Sequence, residues 1–310
     1  MREIKNFYLL ILKMIIFIVA VLTLIIGMKF YFSHLLTPSE YGLGVLEDED
    51  EKIDLLIIGS SHTRQSYDVK IIEKNCQCNA KVIAYNGLDP YFMAPMIEWI
   101  KDNFKIRKWI VEAYNFKTIA PPKLSDSRIF THSPVGLKWS FLKKLKSINT
   151  SYTDLFKLIT TENNESIIFS PIENILVNRY SYKGGYTRKK TSHISQEDFN
   201  QSFKNVDYFK GMKTNLNQVN SILKIKELLA DSDVLYIDPP MPAPVMSHEI
   251  TKQLINNYKK LNPNYKAPWL NTPMAKNNKN FVDWNHLSTL GRENYSNLIS
   301  TKLHSKHKIQ

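Results

Sequence analysis

An apolar run that stops at Gly-Ser-Ser-His constrains this chain more than any other stretch. Residues 54–58 read Asp-Leu-Leu-Ile-Ile and lead into Gly59, Ser60, Ser61 and His62. Four consecutive apolar residues leave no polar face for water. They read as a strand buried on both sides, as in parallel sheets. The glycine closes a tight turn, and Ser61 falls where that turn feeds a helix. Ligands of open α/β sheets bind at the carboxyl ends of the strands. A serine there is a candidate nucleophile, provided that a base reaches it.

The chain beyond this stretch alternates in the same way. Further strands are expected at residues 81–85, 108–113 and 233–238, with a short fifth strand or extended segment at 280–283. Helices are expected at 68–75, 95–104, 215–229, 247–258 and 289–304. Alternating strands and helices imply an α/β fold, with a parallel sheet of roughly five strands joined by right-handed crossovers. From about residue 118 to 206 the pattern lapses into Lys, Ser, Thr and Asn, with Pro121-Pro122 and Gly184-Gly185. This stretch reads as a partly helical insertion covering one end of the sheet.

Ahead of all this, residues 7–32 are almost wholly apolar, with Lys13 and Lys29 near the ends of the run and aromatic residues flanking it. About 20 apolar residues cross a bilayer as a helix. The run ends in Gly-Met-Lys-Phe-Tyr-Phe rather than in small residues, which favours an uncleaved anchor over a cleaved signal peptide. Arg2, Lys5 and Lys13 lie before or within the run, whereas after Lys29 no Lys or Arg occurs until Lys52 and residues 47–51 are all acidic. The positive-inside rule then places the N-terminus in the cytoplasm and the remainder outside. The expected order is a cytoplasmic tail (1–6), a single transmembrane anchor (7–32), a linker (33–52) and one extracytoplasmic domain (53–310).

The formal net charge is +12. A basic balance favours anionic partners; no nucleic-acid motif accompanies it, and the membrane segment argues against nucleic acid. The two cysteines, Cys76 and Cys78, are too few for a disulfide framework and poorly spaced for zinc. They read as exposed or incidental thiols, with a local disulfide as the other option. The sequence calls for no metal and no nucleotide cofactor.

A serine hydroxyl becomes a nucleophile when a base takes its proton, and a carboxylate commonly fixes the orientation of that base. Asp283-Trp284-Asn285-His286 offers both, three residues apart. The candidate catalytic set is therefore Ser61, Asp283 and His286. The oxyanion of an acyl-transfer intermediate needs donors. Candidates are the N–H of Ser61, the N–H of Gly87 after the second strand and the side-chain amide of Asn115 after the third. Gly87 reads equally as a plain turn glycine, and Asn115 as a cap at a strand end. His62 reads as packing or as supporting the site from behind, and Arg64 as facing water or as binding an anionic group near the site. Residues 182–190, mixing Tyr with Lys and Arg, read as a solvated loop or as a surface for a sugar or phosphate polymer.

Taken together, Leu-Ile-Ile-Gly-Ser-Ser-His, Asn86-Gly87, Asn115 and Asp283-Trp-Asn-His286-Leu-Ser resemble the four blocks of the SGNH (GDSL-type) hydrolase superfamily, over most of the chain from residue 54 onward. The resemblance implies a three-layer, flavodoxin-like sandwich and the catalytic roles just named. The Asp of Gly-Asp-Ser is Ser60 here, and Asn115 lies in Glu-Ala-Tyr-Asn-Phe rather than Gly-x-Asn-Asp. The first departure is similar to the membrane-anchored branch that includes the teichoic-acid D-alanine transfer protein and alginate O-acetylation proteins. That branch implies a multispanning membrane O-acyltransferase as partner and an acylated or anionic envelope polymer as substrate. The expected function is an anchored serine esterase or O-acyltransferase. The alternative is a non-catalytic module that docks on such a partner or binds the polymer.

Overall fold

The computed structural model describes residues 2–35, 40–46, 52–113, 119, 121, 129, 138–146, 175–266 and 273–305. Its centre is a parallel sheet of four strands: β1 (Ile53–Gly59), β2 (Ala80–Ala84), β3 (Ile106–Val111) and, after a two-stranded hairpin described below, β6 (Asp233–Tyr236). The order is β2-β1-β3-β6. The chain leaves β1 for β2 on one side and returns to the other side for β3. In open α/β sheets such a reversal is where ligands bind, here at the carboxyl ends of β1 and β3. The register brings those ends level, with Gly59 opposite Ala84 and Ile58 opposite Val111.

Both faces of the sheet are apolar, because strand side chains alternate. Leu56, Ile58 and Val111 join one buried cluster with residues of α4 (Pro90–Asn103), α5 (Trp139–Lys146) and α6 (Leu216–Leu228). Leu55, Ile57 and Ile110 join a second cluster with α3 (Val69–Cys76) and α8 (Thr289–Ser305). Helices thus cover both faces. A further helix, α7 (Glu249–Leu261), buries Ile255 and Tyr258 in the first cluster.

Several elements depart from expectation. α4 begins at Pro90, five residues earlier than the sequence suggested. Asp89 caps it by accepting from the Phe92 N–H, and Pro90 occupies the first helical position, where a missing N–H costs nothing. Pro95, expected at the start, lies inside the helix. Of the short fifth strand or extended segment expected at 280–283, no strand joins the sheet, and Phe281 is extended. Asn278–Asn280 is a 3-10 turn and Phe281 makes one bridge to Leu287, so the segment closes a loop onto itself.

Part of the expected linker is core. Gly42–Leu46 forms a 3-10 turn beside β2, with Tyr41, Leu43 and Leu46 fully buried. The Tyr85 hydroxyl accepts from the Leu43 N–H, and a Cβ at Gly42, whose φ is +55°, would overlap the Tyr85 ring.

Cys76 and Cys78 are joined in a disulfide rather than free. Gln77 between them takes the left-handed conformation that ends α3, which turns the two Cβ atoms toward each other.

From the expected insertion, the described hairpin of β4 (Ser181–Tyr182) and β5 (Gly185–Tyr186) lies against the free edge of β2, where the Val82 N–H donates to the Lys183 carbonyl. A Cβ at Gly184 would overlap the Val82 carbonyl, so only glycine permits this approach.

The N-terminal helix α1 (Arg2–Leu35) contains Phe7–Met28, long and apolar enough to span a membrane and not buried against the rest of the protein.

Candidate active site

Ser61 opens α2 (Ser61–Ser66), immediately after the β1 turn. The turn is tight because a Cβ at Gly59 would overlap Thr63 Oγ1 and a Glu112 carboxylate oxygen. Ser60 caps the helix: its Oγ accepts from the His62 N–H at 3.2 Å. The Ser61 N–H, in the first turn, has no hydrogen-bond partner among the described residues, as is usual for a helix amino end.

His286 reaches Ser61 from the other end of the chain. Its Nε2 lies 3.2 Å from Ser61 Oγ, and its Nδ1 lies 2.9 Å from Asp283 Oδ2. Asp283 Oδ1 accepts from the N–H groups of Asn285 and His286 at 2.9 and 2.8 Å. The Val282 N–H donates to the His286 carbonyl, and the Phe281–Leu287 bridge closes the loop. The three-residue spacing therefore works through a tight turn that pins the carboxylate under the imidazole. A carboxylate only accepts, so Nδ1 carries the proton toward Asp283 and Nε2 is left to accept from the Ser61 hydroxyl.

Burial pushes the Asp283 carboxyl upward. The hydrogen bond and charge of His286 and the two backbone N–H groups outweigh that, holding it below the usual carboxylate range.

Beneath Ser61 lies a carboxylate that the sequence reading passed over. Glu112 follows β3, is buried, and accepts from the Ser60 N–H at 2.7 Å and the Ser60 Oγ at 2.9 Å. Thr63 Oγ1 also donates to it, and His62 Nδ1 lies 3.7 Å away. Burial raises its pKa, but His62, Thr63 and Ser60 together lower it, so Glu112 is held as a carboxylate. The available signal was a lone acid ending a buried strand, where the only sound reason for a charge is a set of donors. His62 was expected to pack, and it does so against this carboxylate, with its ring 6.5 Å from that of His286.

Gly87 lies in the turn after β2 with φ +63°, a conformation that suits glycine, and on the same sheet edge as Ser61. Asn115 lies outside the described residues.

Of the two readings of Arg64, plain exposure to water does not hold. Its guanidinium stacks over the Tyr41 and Tyr186 rings, at 4.5 and 5.3 Å from their centroids, and donates to Ser181 Oγ. Part of the stretch read as a solvated loop is the β4–β5 hairpin beside it.

A cavity of about 380 Å³ lies at the opposite, amino-terminal edge of the sheet, between Asp54, Arg107, Asp233 and the Cys76–Cys78 bridge. It is remote from Ser61.

No protein-family model and no curated protein matches the chain.

Proposed function

We propose that the protein is a membrane-anchored serine esterase or O-acyltransferase of SGNH-like, three-layer fold, acting on acyl groups of a cell-envelope polysaccharide or similar polymer. The observation that carries this reading is the Ser61–His286–Asp283 relay, with 3.2 and 2.9 Å separations and both ring nitrogens of His286 engaged. A structural histidine needs one partner; a base needs a proton donor on one side and an orienting carboxylate on the other.

His286 Nε2 takes the Ser61 proton as Oγ attacks an ester or thioester carbonyl. The imidazolium that forms is stabilised by Asp283. The oxyanion is met by the Ser61 N–H, with the Gly87 N–H and the Asn115 amide as further donors in this reading. The imidazolium returns the proton to the leaving oxygen or sulfur, leaving an acyl group on Ser61. Water or a polymer hydroxyl then gives its proton to His286, attacks the acyl carbonyl and restores the serine. The distribution of basic residues around the anchor supports an extracytoplasmic location for this chemistry, and the resemblance supports a membrane O-acyltransferase as its partner.

The test is labelling of the full-length protein in detergent micelles with a fluorophosphonate. Wild type is expected to label, and Ser61→Ala and His286→Ala to lose both labelling and p-nitrophenyl acetate hydrolysis. Absence of labelling in folded wild-type protein would refute a serine enzyme and leave the binding module as the reading.

A further inference from the structure

Three cationic side chains converge on one phenol ring beside the candidate active site. The Arg64 guanidinium lies 5.3 Å, the Lys190 ammonium 5.5 Å and the Arg292 guanidinium 5.8 Å from the Tyr186 centroid. Arg64 shares α2 with Ser61, Arg292 lies on the helix that follows His286, and Lys190 is hydrogen-bonded to both of those helices. Arg64 is one helical turn after Ser61, on the same side of α2. Lys190 lies on the segment leaving β5; its N–H donates to Thr289 Oγ1 and its carbonyl accepts from the Thr289 N–H, three residues beyond His286. Its ammonium donates to Gln65 Oε1 on α2. Arg292 is in the first turn of α8.

The cluster is costly as it stands. Arg292 is 2 % exposed. Its NH2 group donates to the Arg188 carbonyl, and its Nε has no hydrogen-bond partner among the described residues. Neither Lys190 nor Arg292 forms a side-chain ion pair among the described residues. Burial, together with Arg292, Arg188 and Arg64, holds the Lys190 pKa below its ordinary value against the pull of Asp283. An aromatic face attracts a cation but does not neutralise it. Buried like charges normally gather where an opposite charge is brought to them. Asp283 acts on Lys190, and Asp68 and Glu293 on Arg292, but none of them pairs with either side chain, and Asp283 is already engaged by His286.

We propose that Arg64, Lys190 and Arg292 around Tyr186 form an oxyanion-binding subsite that receives a phosphate or carboxylate group of the molecule whose acyl group Ser61 handles. Guanidinium forks match the planar geometry of both anions, and the ammonium adds a point charge. Tyr186 keeps the three cations apart and presents an apolar wall, which suits an anion carried on a sugar or polyol. This rests on the serine-enzyme reading for its role, but its existence does not.

The experiment is calorimetric titration of the full-length protein in detergent micelles with inorganic phosphate and, separately, with glucuronate at low salt, using the Ser61→Ala protein so that no acyl chemistry intervenes. The expected result is saturable binding of at least one anion below about 1 mM. Lys190→Gln and Arg64→Gln should each weaken it about tenfold, the loss of one charge-assisted contact. Lys260→Gln, an exposed charge on α7, should leave it unchanged. Preference for phosphate assigns a phosphodiester-bearing substrate; preference for glucuronate assigns a uronate. No saturable binding of either anion, or equal weakening by Lys260→Gln, overturns the subsite. Anion binding that depends on Lys190 in a protein whose Ser61 never labels would refute the serine enzyme and leave the subsite standing. Labelling without anion binding would do the reverse.

Discussion

Glu112, on the residue after β3, accepts the Ser60 N–H at 2.7 Å, so the turn that presents Ser61 is tied to the neighbouring strand by a buried charge. Three donors from the residues around the nucleophile end on that one carboxylate. Glu112→Ala leaves the Ser60 N–H and Thr63 hydroxyl without an acceptor and His62 without its anion. The expected loss is about 3 kcal/mol of unfolding free energy, as for other broken buried charge networks. Glu112→Gln, which keeps one acceptor and the shape, should lose less than half of that. Urea unfolding followed by tryptophan fluorescence measures both.

Gly59 should tolerate no side chain. Gly59→Ala forces a Cβ into Thr63 and Glu112, and overpacking of this kind costs about 1–3 kcal/mol. Because the strain falls on the turn carrying Ser61, hydrolysis of p-nitrophenyl acetate should fall about a hundredfold even in the folded fraction. Labelling rates normalised to folded protein separate the two effects.

Asp283→Asn should preserve the loop while disabling the base. The amide oxygen can still accept from the Asn285 and His286 N–H groups, but the amide nitrogen cannot accept from Nδ1. The imidazole then turns its wrong tautomer toward Ser61, and kcat should drop by about 10³–10⁴-fold, far more than the few degrees of melting temperature lost with the carboxylate charge. A drop under tenfold would show that Asp283 does not orient the imidazole.

Stability should fall in acid. Asp283 and Glu112 both have carboxyls lowered from their ordinary values in the folded state. A carboxyl lowered by folding stabilises fully above its unfolded pKa, about 4 for these types, and that contribution is lost as the pH falls through the lower native value. The urea midpoint should therefore hold from pH 7 to about 5 and decline below pH 4. Glu112→Gln should show a shallower decline. A midpoint that rises on acidification would contradict the charged state assigned to both groups.

The Cys76–Cys78 bridge closes a loop of one intervening residue, so reducing it frees little chain entropy: about 1–2 kcal/mol on the loop-length relation. It lies at the far edge of the sheet from Ser61. Dithiothreitol should lower the melting temperature by a few degrees and leave fluorophosphonate labelling of Ser61 unchanged.

What the sequence disclosed here follows from which forces are local. The strands β1, β2, β3 and β6 are short apolar runs punctuated by Gly, Pro or Asn, and that pattern survives in one dimension. Ser61, Asp283 and His286 were legible because their neighbours in sequence also shape them: a Gly turn before the serine, a three-residue loop joining the acid to the base. Glu112 was marked only by its place at the end of a buried apolar strand; its role was not legible because its partners lie some fifty residues upstream. The segment at 280–283 stays short of a sheet strand: Phe281 and Val282 have strand-like composition, while the Ser288 N–H bonded to the Asn280 carbonyl draws the segment into a loop. The turn at Gly42–Leu46 was hidden by the acidic run that follows it. Arg64 and Lys190 are polar residues on the sequence page; only the fold shows that Tyr186 gathers them.

The central claim is that Ser61 carries an acyl group. The most direct measurement is intact-protein and peptide mass spectrometry of the full-length chain, quenched in acid within a second of mixing with excess p-nitrophenyl acetate. The account predicts one added acetyl group, located on Ser61, preceded by a burst of p-nitrophenol matching the enzyme concentration and absent in His286→Ala. Turnover without a burst, or acetyl found on lysines alone with Ser61 unmodified under rapid quench, would contradict it.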